Sequence, residues 1–196
     1  MPIDEVIRKR RSTRHYAADV PVPFEAFSTL LDRSSRGVPM DCLDPAAPPL
    51  NDRYLIANNV EGLEQGAYVL HPRRSGLERL AAGDMREAAA RLACGQEYAA
   101  EAHANVYYLA DLEPILERYG NRGYRVAQVE ASLFAGKLHL AAHALGLGAV
   151  GSTSVDDEVI RFFSPHAADK SYMFVIVFGV PRKRAALGES ERLPTS

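Results

Sequence analysis

The chain has 196 residues, 47% of them hydrophobic and 24% charged, with a formal net charge of -2 at pH 7. That is enough chain for one substantial core, and the composition is that of a globular protein rather than a disordered one. The balanced charge argues against a general nucleic-acid binder, which needs a basic domain or a long basic stripe. The two cysteines, Cys42 and Cys94, lie too far apart to suggest a disulfide framework.

Residues 3–10 (IDEVIRKR) place Ile3, Val6 and Ile7 on one helical face, with Asp4 and Glu5 in the first turn and cations in the last. This helix runs into a cluster of cations: Arg8, Lys9, Arg10, Arg11 and Arg14, interleaved with Ser12 and Thr13. A second amphipathic helix is expected over 24–32, on Phe24, Phe27, Leu30 and Leu31. Residues 33–52, rich in Pro, Ser and Asp, read as a long irregular loop, and such loops are often functional. Residues 53–60 and 66–71 read as strands with a turn at Gly62. The Ala- and Leu-rich stretch 77–103 reads as helix, broken near Gly83 and Gly95. Residues 104–110 read as another strand. The longest expected helix is 124–145, with Val126, Val129, Leu133, Gly136, Leu140, Ala144 and Leu145 spaced for burial. A short helix follows at 156–163. The unbroken apolar run 171–179 is expected to be a central strand, because both of its faces are apolar.

These elements add up to one α+β domain over 1–196 with about four strands and a tail after Pro181 that lacks periodicity. No apolar h-region follows the N-terminal basic residues, and no run reaches the roughly 18 apolar residues a membrane span needs. The expectation is a soluble protein of the cytoplasm.

Residues 146–151 (GLGAVG) match G-x-G-x-x-G but follow a helix rather than a strand, so Gly146 and Gly148 read as helix terminators, not as a dinucleotide loop. His139 and His143 have i, i+4 spacing, but no HExxH frame or acidic third ligand accompanies them, so no metal site is expected. Neither cysteine has a basic motif beside it that would make it a nucleophile. The arginine cluster remains. Arginine forks bind phosphate in bidentate fashion and hydroxyls add donors, so the segment suits a phosphate cradle; a solvated charge run is the alternative.

Three further stretches accompany "IRKRRSTRHY": "VEGLEQGAYVL", "YGNRGYRVAQVEASLFAGKLHLAAHALGLGAVG" and "VDDEVIRFF", with a closing "FVIVFGVP". Their order and spacing over residues 3–181 resemble the nitroreductase superfamily of FMN enzymes, in particular its branch of streptolysin S and thiazole/oxazole peptide-maturation dehydrogenases. The resemblance implies a three-layer α/β/α domain with a mostly antiparallel central sheet, in an intertwined homodimer with FMN at the interface. It implies an oxidoreductase that passes hydride from NAD(P)H to a small acceptor through the flavin by a ping-pong route, with no nucleic-acid or membrane partner. Carried over residue by residue, Arg10, Arg11, Ser12 and Arg14 match the N-terminal flavin-binding segment, and Gly151, Ser152 and Thr153 match the stretch beside the reactive edge of the flavin. A cation near the C-terminus, Arg182 and Arg184 or else Arg192, completes the phosphate site. Helix 124–145 is the candidate dimer core, and Tyr119, Arg122 and Arg125 are substrate-side candidates. The maturation branch carries a Lys-Tyr pair near its catalytic centre, where this chain offers Arg118-Tyr119. Azoline oxidation in a modified peptide is therefore the alternative activity, and a catalytically degenerate flavin binder the non-enzymatic one.

Overall fold

The computed structural model describes residues 1–37, 40–44, 46–71 and 76–182. In chain order its elements are α1 (Ile3–Lys9), α2 (Phe24–Ser35), β1 (Asn51–Ala57), β2 (Gly66–His71), β3 (Gly76–Ala82), α3 (Arg86–Leu92), α4 (Glu97–Glu101), β4 (Ala104–Ala110), α5 (Leu112–Tyr119), α6 (Arg122–Ala144), β5 (Gly148–Ser152), α7 (Asp156–Phe163) and β6 (Ser171–Gly179). The six strands form one sheet in the order β3-β2-β1-β4-β6-β5, and every pairing is antiparallel.

Helices cover both faces of this sheet, which is why β6 is apolar from Tyr172 onward, β4 is apolar apart from Asn105, and β1 is apolar from Tyr54 to Ala57, rather than alternating. On one face α2, α5 and α6 pack over Leu55, Val106, Tyr108 and Ile176. On the other, α3, α4 and α7 pack over Tyr54, Ile56, Tyr107 and Val175. The expected α/β/α layering with an antiparallel sheet is what the chain adopts.

Four local expectations differ from the structure. Residues 77–82 are not helix but edge strand β3, paired with β2 from Leu77↔Leu70 to Ala82↔Gly66. The sequence GLERLAA has helix-forming composition, and sheet pairing overrides that weak propensity. The sheet has six strands rather than about four, because residues 148–152 also form one. Within the expected 33–52 loop, residues 33–35 continue α2 and Asn51 and Asp52 open β1. Buried Glu130 fixes that opening: its carboxylate accepts from the backbone N–H groups of Leu50 (3.2 Å) and Asn51 (2.9 Å) and from Asn51 Nδ2 (2.8 Å).

The fourth difference concerns α6. Its buried stripe is Ala127, Ala131, Phe134, Ala135, Leu138 and Ala142, whereas Val129, Leu133 and Leu145 of the expected stripe lie 47%, 40% and 46% exposed. The helix is apolar on two faces, and periodicity picked the one that points away from the sheet. Gly136 lies on that outward face with open space where a Cβ would stand. Exposed Ile3 and Ile7 of α1, which packs against α6, add to the apolar surface.

Candidate functional site

The N-terminal cations divide into two groups. Arg8 pairs with Asp4 at 2.6 Å and Lys9 with Glu5 at 2.8 Å, both i, i+4 pairs on the exposed side of α1. Helix α1 then ends, because Arg10 adopts an extended conformation at the C-cap. Arg10, Arg11 and Arg14 are exposed and have no ion-pair partner among the described residues.

From Arg10 onward the chain runs extended along the outer edge of β5. Ser12 forms a parallel bridge with Ala149, and the Thr13 amide donates to the Ala149 carbonyl at 3.0 Å. This covers an otherwise open sheet edge. Gly148 is what permits the approach: a Cβ there would stand 2.5 Å from Thr13 Cγ2 and 2.6 Å from its Cβ. From the other side, the His139 Nε2–H donates to the Arg11 carbonyl at 3.3 Å. Burial, reinforced by neighbouring Arg10 and His143, holds the His139 imidazole below its ordinary pKa and keeps it neutral. His139 is therefore a packing and positioning histidine, and the described residues contain no group of side chains suited to a metal ion.

Tyr16 anchors the far end of the segment. It is fully buried, its hydroxyl donates to the Thr13 carbonyl at 2.8 Å, and its amide donates to Glu101 at 3.0 Å. Burial drives its phenol far above the ordinary range, so the hydroxyl stays protonated. Beyond it, the Ala17 amide donates to Val180 O and the Arg182 amide to His15 O, both at 2.9 Å. Arg182, the expected C-terminal cation, thus lies beside the arginine segment, where its guanidinium stands 3.6 Å from Glu101. Arg184 and Arg192 lie outside the described residues.

The arginine segment and Gly151-Ser152-Thr153 therefore meet on the same strand, β5. GLGAVG divides between a helix end, with Gly146 in the left-handed region at φ +77°, and the first four residues of β5. Gly151 is exposed on its outer side, and a Cβ would stand 2.8 Å from Phe174 Cζ. Ser152 Oγ donates to the Thr153 carbonyl at 3.2 Å, which leaves the Tyr98 hydroxyl to donate to Ser152 Oγ at 2.7 Å. Tyr172 adds a donor to the Ser152 carbonyl at 3.4 Å. The segment carrying Arg10, Arg11 and Arg14, which have no ion-pair partner among the described residues, thus lies alongside the strand that ends in Gly151 and Ser152. That donor set fits a ligand carrying a phosphate, because the arginines supply charge-assisted donors, while the missing side chain at Gly151 makes room for Phe174.

Tyr119, Arg122 and Arg125 lie elsewhere. Arg122 opens α6, and at about 1.5 Å of rise per residue it stands roughly 25 Å along the helix from His139. Within one chain, none of the three reaches the arginine segment. Tyr119 instead lines a cavity of about 630 Å³ with Leu43, Pro48, Ile115 and Phe134, and Arg118 Cζ sits 5.0 Å over its ring.

The nitroreductase family profile matches residues 7–180. The chain belongs to the nitroreductase family. It is 29% identical over 166 residues to a protein of Methanocaldococcus jannaschii named as a nitroreductase, covering 81% of this chain and 82% of that one. Among solved structures, a protein of Anabaena variabilis named as a nitroreductase superposes with a TM-score of 0.81 at 28% identity, covering 92% of this chain and 38% of that one. This chain therefore spans well under half the length of the Anabaena protein. A chain of the E. coli microcin synthetase McbBCD complex shares the fold at a TM-score of 0.73 and 20% identity, covering 90% of this chain and 71% of that one.

Membership in this family suggests an oxidoreductase. Among the described residues no helix is long and apolar enough to cross a membrane. Sequence reasoning missed Tyr98, Glu101 and Tyr172, which hold the site's two sides. No motif marks them, since each acts through a partner more than fifteen residues away.

Proposed function

We propose that this nitroreductase-family chain is an FMN-dependent oxidoreductase that takes reducing equivalents from NAD(P)H and passes them to a small acceptor. One observation carries the reading. Three arginines without ion-pair partners among the described residues run along the edge of the same strand that carries Gly151 and Ser152. A cluster that served only to solvate α1 would end with the helix, and this one continues past it in an extended conformation.

Bound FMN supplies the two-electron chemistry, accepting and giving up hydride. The protein's part is to bind and orient. Arg10, Arg11 and Ser12 hold the phosphate and ribityl oxygens, with Arg182 as the additional cation; Arg184, outside the described residues, is proposed for the same role. Arg14 stands on the pyrimidine side, where a positive charge favours the reduced, more negative ring. Gly151, Ser152 and Thr153 present backbone to the other edge. No side-chain acid or base is assigned.

The active form in this reading is a homodimer built on the outward face of α6. That face and α1 leave Ile3, Ile7, Val129 and Leu133 exposed, and Gly136 offers room for close helix approach. Tyr119, Arg122 and Arg125 become substrate-side groups only if the second copy brings them to the socket. The visible absorption spectrum of the purified protein is the test. An FMN spectrum that NADH or NADPH bleaches supports an enzyme. A flavin spectrum that neither reductant bleaches reduces the reading to a flavin binder, and a chain that takes up no added FMN refutes it.

A further inference from the structure

Helix α4 touches both sides of the socket. Glu101 accepts from the Tyr16 amide at 3.0 Å and stands 3.6 Å from Arg182, so it holds the arginine side. Tyr98, one turn earlier on the same face, donates to Ser152 Oγ at 2.7 Å, so it holds the glycine-serine side. The helix itself is seated by Ala99 and Ala102, both fully buried, and by Arg86, whose Nη1 donates to the Ala100 carbonyl at 2.7 Å. Its base is tied to β4, where Asn105 Nδ2 donates to Ala99 O at 3.1 Å.

We propose that α4 is a brace that sets the spacing between the two sides of the socket, with Tyr98 and Glu101 as its positioning residues; this rests on the FMN reading above. The two sides already meet through β5, by the Ser12–Ala149 bridge and the Thr13 amide to the Ala149 carbonyl, and α4 adds a second tie at their outer ends. Residues 10–15 lie on the surface as extended chain, and 151–153 are the end of an edge strand and the start of a loop. A rigid ligand that contacts both sides needs their separation fixed before it binds, or it bears the ordering itself. A short helix carrying one contact to each side provides that. Glu101 has a second effect. Its carboxylate lies beside Arg182 and competes with a bound phosphate for that cation, which moderates the affinity of the site.

The experiment uses the full chain with Tyr98→Phe, Glu101→Ala and Glu101→Gln. Phe keeps the ring that packs against the α3–α4–α7 core, and Gln keeps an acceptor for the Tyr16 amide but not the charge. Amide hydrogen exchange on the flavin-free protein is read first. Exchange is expected to rise about tenfold at residues 152–153 in Tyr98→Phe and at Tyr16 in Glu101→Ala, with Glu101→Gln near wild type and β4 unchanged in all three. FMN titration follows. Tyr98→Phe and Glu101→Ala are expected to raise the Kd about fivefold to tenfold, and Glu101→Gln to leave it equal or lower it. The reduction potential of bound flavin is expected to move in Tyr98→Phe, whose side adjoins the reactive edge, and not in Glu101→Gln. Unchanged exchange at both sides, or unchanged FMN affinity in both Tyr98→Phe and Glu101→Ala, overturns the brace. Failure of the wild-type chain to take up FMN overturns the flavin reading. The exchange data, taken without flavin, show which of the two failed.

Discussion

Gly148→Ala tests whether the arginine segment docks on β5 as described. The added Cβ would stand 2.5 Å from Thr13 Cγ2 and 2.6 Å from Thr13 Cβ, both far inside van der Waals contact. Thr13 cannot turn aside freely. It is β-branched, and its amide is bonded to Ala149, the residue next to the substitution. Either the clash is accommodated, at about 1–3 kcal/mol for overpacking, or the segment lifts off and loses the Thr13 and Ser12 pairing, at about 1 kcal/mol per hydrogen bond. Both routes predict a loss of about 1–3 kcal/mol in urea unfolding. The second also releases Arg10, Arg11 and Arg14 from their positions, so FMN affinity should fall at least tenfold. Adding Thr13→Gly removes the three atoms nearest the new Cβ, and the double variant should recover most of the FMN affinity even though glycine loosens the strand. A Gly148→Ala chain with the wild-type urea midpoint and wild-type FMN affinity would refute the docking.

Other outcomes follow from the same geometry. Arg10→Ala and Ser12→Ala should each weaken FMN binding tenfold or more without changing the thermal midpoint by more than about 2 °C, since each exposed residue loses only charge-assisted or hydroxyl contacts to the ligand. Glu130→Ala should cost on the order of 3 kcal/mol in chemical denaturation, because the donors at Leu50, Asn51 and Asn51 Nδ2 lose their acceptor where β1 meets α6. Acid should destabilise the fold through His103 and His139, whose pKa values burial lowers from the ordinary 6.5. The unfolded chain binds protons near pH 6.5 that the folded chain refuses, so stability is full above that pH and declines as pH falls through it. The urea midpoint difference between wild type and His103→Gln should therefore shrink from pH 7.5 to pH 5.5, and a difference constant over that range would contradict it.

Most strands were readable from the sequence because burial on both faces leaves apolar stretches in β6, in β4 apart from Asn105, and in β1 from Tyr54 to Ala57. The misreadings share a cause. GLERLAA in β3 and the outward stripe of α6 are segments whose local preference is outweighed by what they pack against, in one case strand β2 and in the other the sheet. The arginine segment was legible as a candidate from side-chain chemistry. Its partner strand was not, since a parallel bridge between residues 12 and 149 leaves no local signature. Tyr98 and Glu101 were invisible for the same reason: a tyrosine and a glutamate on a five-residue helix are ordinary until their bonding partners are known.

The charge distribution separates a socket from a binding stripe. A stripe for nucleic acid spreads many cations over a face and spaces them for successive phosphates. Here Arg8 and Lys9 are paired within their helix, and Arg182 is shared with Glu101. That leaves Arg10, Arg11 and Arg14 without an ion-pair partner among the described residues, spread over five residues of extended chain beside β5, a short cluster rather than a long stripe. The acidic neighbour is part of the arrangement. A carboxylate within 3.6 Å of Arg182 lowers the local potential, so a diffuse polyanion gains little there. Salt separates the two cases. Release of one bound dianion should show a log Kd against log salt slope near that of about two charges, whereas a steeper slope would mean that the whole basic end of α1 takes part.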